Sequence, residues 1–320
     1  MSASRNPSSC RICGATPLEE FVRLGARYGR CPSCGAILKL LSLEEYQALH
    51  IDYHADALQT LDAATLRRVL EVDEKRAFLR PLLARHAQKG TFLDIGCGQG
   101  GYLLAARELG WEILGIEPSP SHSATGREHF ALPIEPGYFD AARLGERRFE
   151  CVMLSHVIEH MYDPNAFLES VLGVVAKGGS LLVLTPNAAA NVARWTGRYW
   201  TMLKQVDHVS MLTRRAFERM PALSRTECTF HELETSSEAL ATLLASARDA
   251  ARELRARPAA GDTKASAAIG DTELRRHRLR RVHAALAVLG APLHHLNVRT
   301  RRQGCLFVEV VRSAGASRLG

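Results

Sequence analysis

The sequence predicts an α/β fold built on a doubly wound, mostly parallel sheet, and three observations predict it. From Thr91 onward short apolar runs alternate with helical stretches, the pattern of strands joined by crossover helices. A glycine-rich turn follows the first of these runs, and a carboxylate closes the second. Such a turn lets backbone approach a ligand at the carboxyl edge of the sheet. The strand candidates are Thr91 to Ile95, Glu112 to Ile116, Cys151 to Leu154 and Ser180 to Leu184. A final apolar run, Cys305 to Val311, is expected as an edge strand returning to the sheet.

The 320 residues leave room for one substantial core with small appendages, and 46% hydrophobic against 23% charged residues makes disorder the wrong default. Much of the formal charge of +7 gathers between Arg248 and Arg281. That distribution is compatible with nucleic-acid contact but is weak evidence for it. No apolar run reaches the roughly 18 residues of a membrane span, and Met1 to Ser9 lack the apolar core of a signal peptide. A cytoplasmic protein without membrane association is therefore expected.

The domain reading places a small module at 1–41, a helical connector and cap at 42–90, the core at 91–235, a helical insert at 236–290, and the last strand with a tail at 291–320. Tyr46 and Tyr53 lie in the connector, either packed or facing a site. The insert holds two helix candidates, Glu238 to Arg257 and Thr272 to Leu289, separated by a loop at Pro258 to Gly270.

Of eight cysteines, four are paired near the start: Cys10-Arg-Ile-Cys13, seventeen residues, then Cys31-Pro-Ser-Cys34. Two such knuckles match the four-thiolate requirement of a structural zinc site, and ligation supplies stability that so small a segment cannot draw from its own core. Cys97, Cys151, Cys228 and Cys305 are scattered and read as small buried hydrophobes.

The segment Phe92-Leu-Asp-Ile-Gly-Cys-Gly-Gln-Gly-Gly101 ends a strand in Asp94 and opens a helix near Tyr102. Glu117 closes the next strand, where a carboxylate can accept hydrogen bonds from a ribose. Here the sequence resembles the class I S-adenosylmethionine-dependent methyltransferases. Their first motif, an acid followed by G-x-G-x-G, stands as Asp94-Ile-Gly96-Cys97-Gly98-Gln-Gly100. A nicotinamide dehydrogenase fits the loop at its looser spacing through Gly101, but two later segments favour the methyltransferase: Phe149 to Pro164, with a His/Glu-rich turn, and Lys177 to Asn187. The resemblance implies a Rossmann-like sheet, a glycine loop around the amino-acid part of the cofactor and Glu117 on the ribose. It also implies Tyr138 and Phe139 beside the adenine, Asp140 near its amino group, and Ser155 at the cofactor after the fourth strand.

Methyl transfer aligns a nucleophile with an activated methyl carbon and removes the proton that the nucleophile carries. His156, Glu159 and His160 follow the fourth strand at i, i+3 and i+4, which brings them together on a helical turn. They are open to three roles: a structural turn, a pocket wall or base, or a metal site completed by His208. The last is implied by similarity to RNA-terminal ribose methyltransferases and some quinone O-methyltransferases. Asp207-His208, after Trp195, Tyr199 and Trp200, resembles the D-H element of methyltransferases acting on sugars and related small molecules. In sugar C-methyltransferases, which also carry a four-cysteine zinc module, the matching histidine is a proposed base. Those enzymes continue into another sizeable domain, which leaves C-methylation itself open here.

Three functions follow: methylation of a small molecule, a sugar or specialised-metabolite intermediate, with His208 or His160 as base; RNA methylation, with Arg275, Arg276, Arg278, Arg280 and Arg281 on phosphates; or a non-catalytic cofactor-binding scaffold. The first is the leading expectation. The sequence lacks an aromatic and basic platform for single strands, and that arginine cluster also reads as a solvated helix face.

Overall fold

The structure, a computed structural model, describes residues 9–49, 61–86, 89–233, 236–255, 291–299 and 303–312. Tyr53, the loop at 258–270, the helix candidate at 272–289 and its arginines lie outside the described residues.

The N-terminal module is a small antiparallel sheet. β1 (Glu19–Arg23) and β2 (Ala26–Arg30) form a hairpin through Leu24-Gly25, both with positive φ, as a two-residue turn between right-twisted strands requires. β3 (Ile37–Lys39) continues it, and the order ends in a strand from far along the chain.

The main sheet has seven strands. β4 (Thr91–Ile95), β5 (Glu112–Glu117), β6 (Ile134–Pro136), β7 (Phe149–Ser155) and β8 (Val175–Pro186) run parallel in the order β8-β7-β4-β5-β6. The two-residue β9 (Ser210–Met211) leaves this sheet and pairs with β3. Beyond β8 come β11 (Cys305–Val311) and then β10 (Glu227–Leu233), each antiparallel to its neighbour, so β11 alone runs against the rest.

That arrangement corrects one expectation. Cys305–Val311 is not an edge strand: β10 covers its outer side over the full register, Glu227 opposite Val311 to Leu233 opposite Cys305. Five of its seven residues are buried, which suits a near-continuous apolar run on an interior strand better than on an edge. β10 takes the edge with a mixed sequence, ECTFHEL, and edge strands are commonly polar.

Helices 101–108, 120–130 and 164–174 cover the sheet. The last two start where short side chains cap the free N–H groups: Ser119 accepts from His122 N and Asp163 from Ala166 N, each followed by proline at the first helical position. Helices 63–69 and 72–83, expected as connector and cap, bury Leu66, Leu79 and Leu82 in one cluster with Leu103, Leu104 and Phe92. The insert helix runs Ser236–Arg255, two residues before its expected start. Among the described residues no helix is long and apolar enough to cross a membrane.

The module shares its core with the sheet. Cys10, Ile12, Leu18, Cys34 and Leu38 belong to the same buried cluster as Leu93, Leu154, Leu212 and Phe217. Of the scattered cysteines, Cys97 and Cys151 are buried while Cys228 and Cys305 are half-buried, all as free thiols.

Candidate functional site

Three constellations lie on this frame. In the module the four sulfurs converge: Cys10 Sγ lies 3.7 Å from Cys34 Sγ and Cys13 Sγ 3.6 Å from Cys31 Sγ, with all four ligand atoms within 4.8 Å of one another. A tetrahedral ion with metal–sulfur bonds of about 2.3 Å sets its sulfurs about 3.8 Å apart, close to the two shorter separations here, so the cluster suits such an ion. Each knuckle closes on a glycine, Gly14 N to Cys10 O and Gly35 N to Cys31 O, both 2.8 Å. The hydrogen bond from the Cys34 thiol holds Cys10 down to about 5 against its burial, and the same bond, with burial, pushes Cys34 up.

The second constellation is a cradle at the carboxyl ends of β4 and β5. Gly98 and Gly100 both have positive φ. A Cβ on Gly100 would fall 2.3 Å from Leu132 Cδ1, so only glycine fits there, whereas a Cβ on Gly98 would meet nothing within 4 Å. The chain thus packs tightly on one side of the turn and faces open space on the other. Glu117 lines that space, accepting Gly98 N at 2.7 Å and Ser119 N at 2.8 Å. Asp94 lies behind it, 1% exposed, and both its carboxylate oxygens are without a hydrogen-bond partner among the described residues. Burial first, then the nearby Glu117 charge, pushes Asp94 well above the carboxylate range; burial also raises Glu117. An orphaned buried carboxylate costs about 1–3 kcal/mol, so the cradle is poised for a ligand that brings a cation or a donor.

Around the cradle the expected residues divide. Cys97 is buried at the turn, its N donating to Ile116 O at 3.2 Å beside Gly96 N at 2.7 Å. Ser155 ends β7 near the Tyr102 hydroxyl, which burial and the Asp94 charge push up. Tyr102, which opens the helix just after the glycines, is not among the sequence-predicted site residues. Tyr138 is 78% exposed, whereas Phe139 turns inward, edge-on to Phe167 at 6.0 Å. Asp140 accepts Ala142 N at 2.9 Å, capping helix 141–144.

The third constellation abuts the cradle, since a Cβ on Gly96 would lie 2.6 Å from Val157 Cγ2. His156 has φ +55°, and the 3-10 turn Ile158–His160 follows. His156 Nδ1 donates to Glu159 Oε1 at 3.0 Å, and Thr185 Oγ1 to Glu159 Oε2 at 2.9 Å. Glu159 is fully buried, and although burial opposes ionisation, the His156 hydrogen bond with the charges of His156, His160 and His208 holds it down to about 2. His160 instead faces Asp207, Nδ1 to Oδ2 at 2.8 Å. Burial lowers its proton affinity, but Asp207 and Glu159 outweigh that and raise it. His208 Nδ1 donates to Met202 O at 2.9 Å, and burial lowers its pKa to about 4. The His160 and His208 rings meet edge-on at 5.0 Å. With both Nδ1 atoms given to acceptors, each ring in its neutral form carries its lone pair on Nε2. The arrangement can take up a proton at one imidazole and accept a hydrogen bond at the other.

A family model described as a methyltransferase domain matches residues 59–222, just over half of the chain. The ubiquinone biosynthesis O-methyltransferase of Rhodopseudomonas palustris (strain HaA2) is 34% identical over 99 residues, covering 30% of this chain and 39% of that protein. Its counterpart in Nitrobacter winogradskyi is 29% identical over 145 residues, covering 40% and 54%. The chain thus spans about two-fifths to one-half of the length of these relatives. Among solved structures, a SAM-dependent methyltransferase from Archaeoglobus fulgidus aligns with a TM-score of 0.46 and 15% identity over 75% of this chain and 94% of that one.

Proposed function

Because the chain belongs to the methyltransferase-domain family, we propose that it transfers the methyl group of S-adenosylmethionine to a small-molecule acceptor, a sugar or specialised-metabolite intermediate. The observation that carries this reading is the orphaned Asp94 carboxylate behind the open side of the Gly98 turn. The ammonium of the cofactor's amino-acid part supplies the charge that Asp94 lacks, and Glu117 has lone pairs left for ribose hydroxyls. Ser155 and Tyr102 complete the wall on the β7 side.

The acceptor's nucleophile attacks the methyl carbon as the sulfur–carbon bond breaks, leaving a neutral thioether. The acceptor's proton passes to His160 Nε2. Asp207 fixes the His160 ring and stabilises the imidazolium, as Glu159 does from its buried position. His208, neutral through burial, accepts a hydrogen bond from the acceptor and orients it. The geometry thus favours His160 over His208 as base, because only His160 has a carboxylate on its Nδ1. In the module, zinc on Cys10, Cys13, Cys31 and Cys34 has a structural role.

The test follows labelled methyl from S-adenosylmethionine into small-molecule, RNA and protein fractions of an extract, with His160→Ala and His208→Ala beside the wild type. Label in the small-molecule fraction, lost in His160→Ala, is expected; label in RNA overturns the acceptor class. A second reading has one favouring observation: Glu159, His160 and His208 offer ligand atoms within 4.8 Å of one another. A divalent ion there would polarise the acceptor in place of a base. Turnover that survives exhaustive chelation, with the module still loaded, removes it.

A further inference from the structure

The segment bearing Asp207 and His208 is held largely from outside the parallel sheet. Directly after His208, Val209 O accepts Lys39 N at 3.0 Å and Arg11 Nη2 at 3.1 Å, both from the cysteine module. β9 then pairs with β3, Ser210 opposite Leu38 and Met211 opposite Ile37. Further on, Thr213 Oγ1 donates to Cys34 O at 2.6 Å, so the second knuckle grips the far end. Ahead of Asp207, Lys39 Nζ donates to Val206 O at 2.7 Å.

Arg11 lies between the ligand cysteines of the first knuckle and is 8% exposed. Its Nη1 donates to Lys39 O at 3.1 Å, and the guanidinium lies 4.4 Å over the Tyr162 ring. A buried guanidinium is costly unless its hydrogen bonds are made, and here two of them go to backbone that joins β3 to the segment after His208. A module serving only to recruit a partner gains nothing from that burial.

We infer that the four-cysteine module is a positioning part of the methyl-transfer site: through Arg11 and β3 it sets where Asp207 and His208 stand, and Asp207 sets His160. This rests on the reading that the Asp207–His160 pair serves the acceptor's proton. Arg11 is a positioning residue; it reaches the site through Val209.

The experiment uses the full zinc-loaded chain and its Arg11→Ala, Arg11→Lys and Lys39→Met variants. It reads zinc content, amide hydrogen exchange over 206–212, the dissociation constant for S-adenosylmethionine, and methyl transfer to the extract fraction that the wild type labels. Arg11→Ala is expected to keep zinc and to exchange on the order of tenfold faster over 206–212. Its turnover should fall about 10²-fold while cofactor affinity stays within about twofold, because the cradle is built on β4 and β5 instead. Arg11→Lys, which restores one of the two carbonyl contacts, should recover part of both losses. Unchanged exchange and turnover with zinc retained overturn the inference, as does a turnover loss matched by lost cofactor affinity. Should Arg11→Ala lose zinc, Lys39→Met carries the test, since its partly exposed side chain reaches the segment directly through Val206 O; unchanged exchange over 206–212 in that variant overturns the inference. If the wild type labels no fraction, the methyl-transfer reading falls, whereas faster exchange in the variants still supports the module's hold on 206–212.

Discussion

The glycine cradle and the histidine cluster occupy adjoining strand ends, yet their carboxylates live under opposite conditions. Asp94 is buried without a hydrogen-bond partner among the described residues and is pushed toward its neutral form. Glu159, equally buried, accepts from His156 and Thr185, is surrounded by imidazoles and stays ionised down to about pH 2. One region is incomplete until a ligand brings charge; the other is neutralised within the chain. Binding should therefore stabilise the first and leave the second almost unmoved.

The largest expected effect probes the second region. His160→Ala should lower turnover by about 10²- to 10⁴-fold, with cofactor affinity measured by calorimetry unchanged; a matching loss of affinity would erase the division between the two regions. Next comes Gly100→Ala, which places a Cβ 2.3 Å from Leu132 Cδ1 at positive φ and should cost about 3 kcal/mol in urea titration through overpacking and backbone strain. Its neighbour sharpens the contrast. Gly98→Ala meets open space, should cost only about 1–2 kcal/mol of stability, and should fail mainly in cofactor binding because the methyl enters the ligand's volume.

The smallest effect concerns Asp94 and pH. An acid raised in the folded state keeps a proton that the unfolded chain has already released. From the ordinary carboxylate range up to that raised value, stability of the ligand-free protein therefore falls as pH rises. Asp94→Asn removes that slope and should raise ligand-free stability near neutral pH by about 1–2 kcal/mol while weakening cofactor binding. Parallel urea curves for wild type and variant between pH 5 and about pH 8 would contradict the assignment of Asp94 as a buried acid held above the carboxylate range.

The same contrast explains what was legible in the sequence. The cradle is contiguous: strand, acid, glycines and the closing carboxylate of the next strand follow one another, so local pattern suffices. The cluster is assembled over distance, His160 meeting Asp207 47 residues on. Spacing put His156, Glu159 and His160 on one helical turn, and it does not show that positive φ at His156 aims that ring at Glu159 while His160 turns to Asp207. Nor does any periodicity mark a two-residue strand, so the docking of Ser210–Met211 on β3 was invisible. β10 was missed because Cys228 and Phe230 alternate among polar residues in a stretch dominated by helical signals. With β10 unseen, β11 looked like the edge.

The reversed strand β11 also dictates when the fold can be completed. Asn187, at the end of β8, hydrogen-bonds to Gln303, 116 residues later. At 5–20 residues per second of synthesis, β8 leaves the ribosome roughly 6–23 s before the strand that will cover its open side. In that interval an apolar strand with unpaired N–H and C=O groups is open to pairing with other nascent chains, which makes β8 the place where a chaperone would act first.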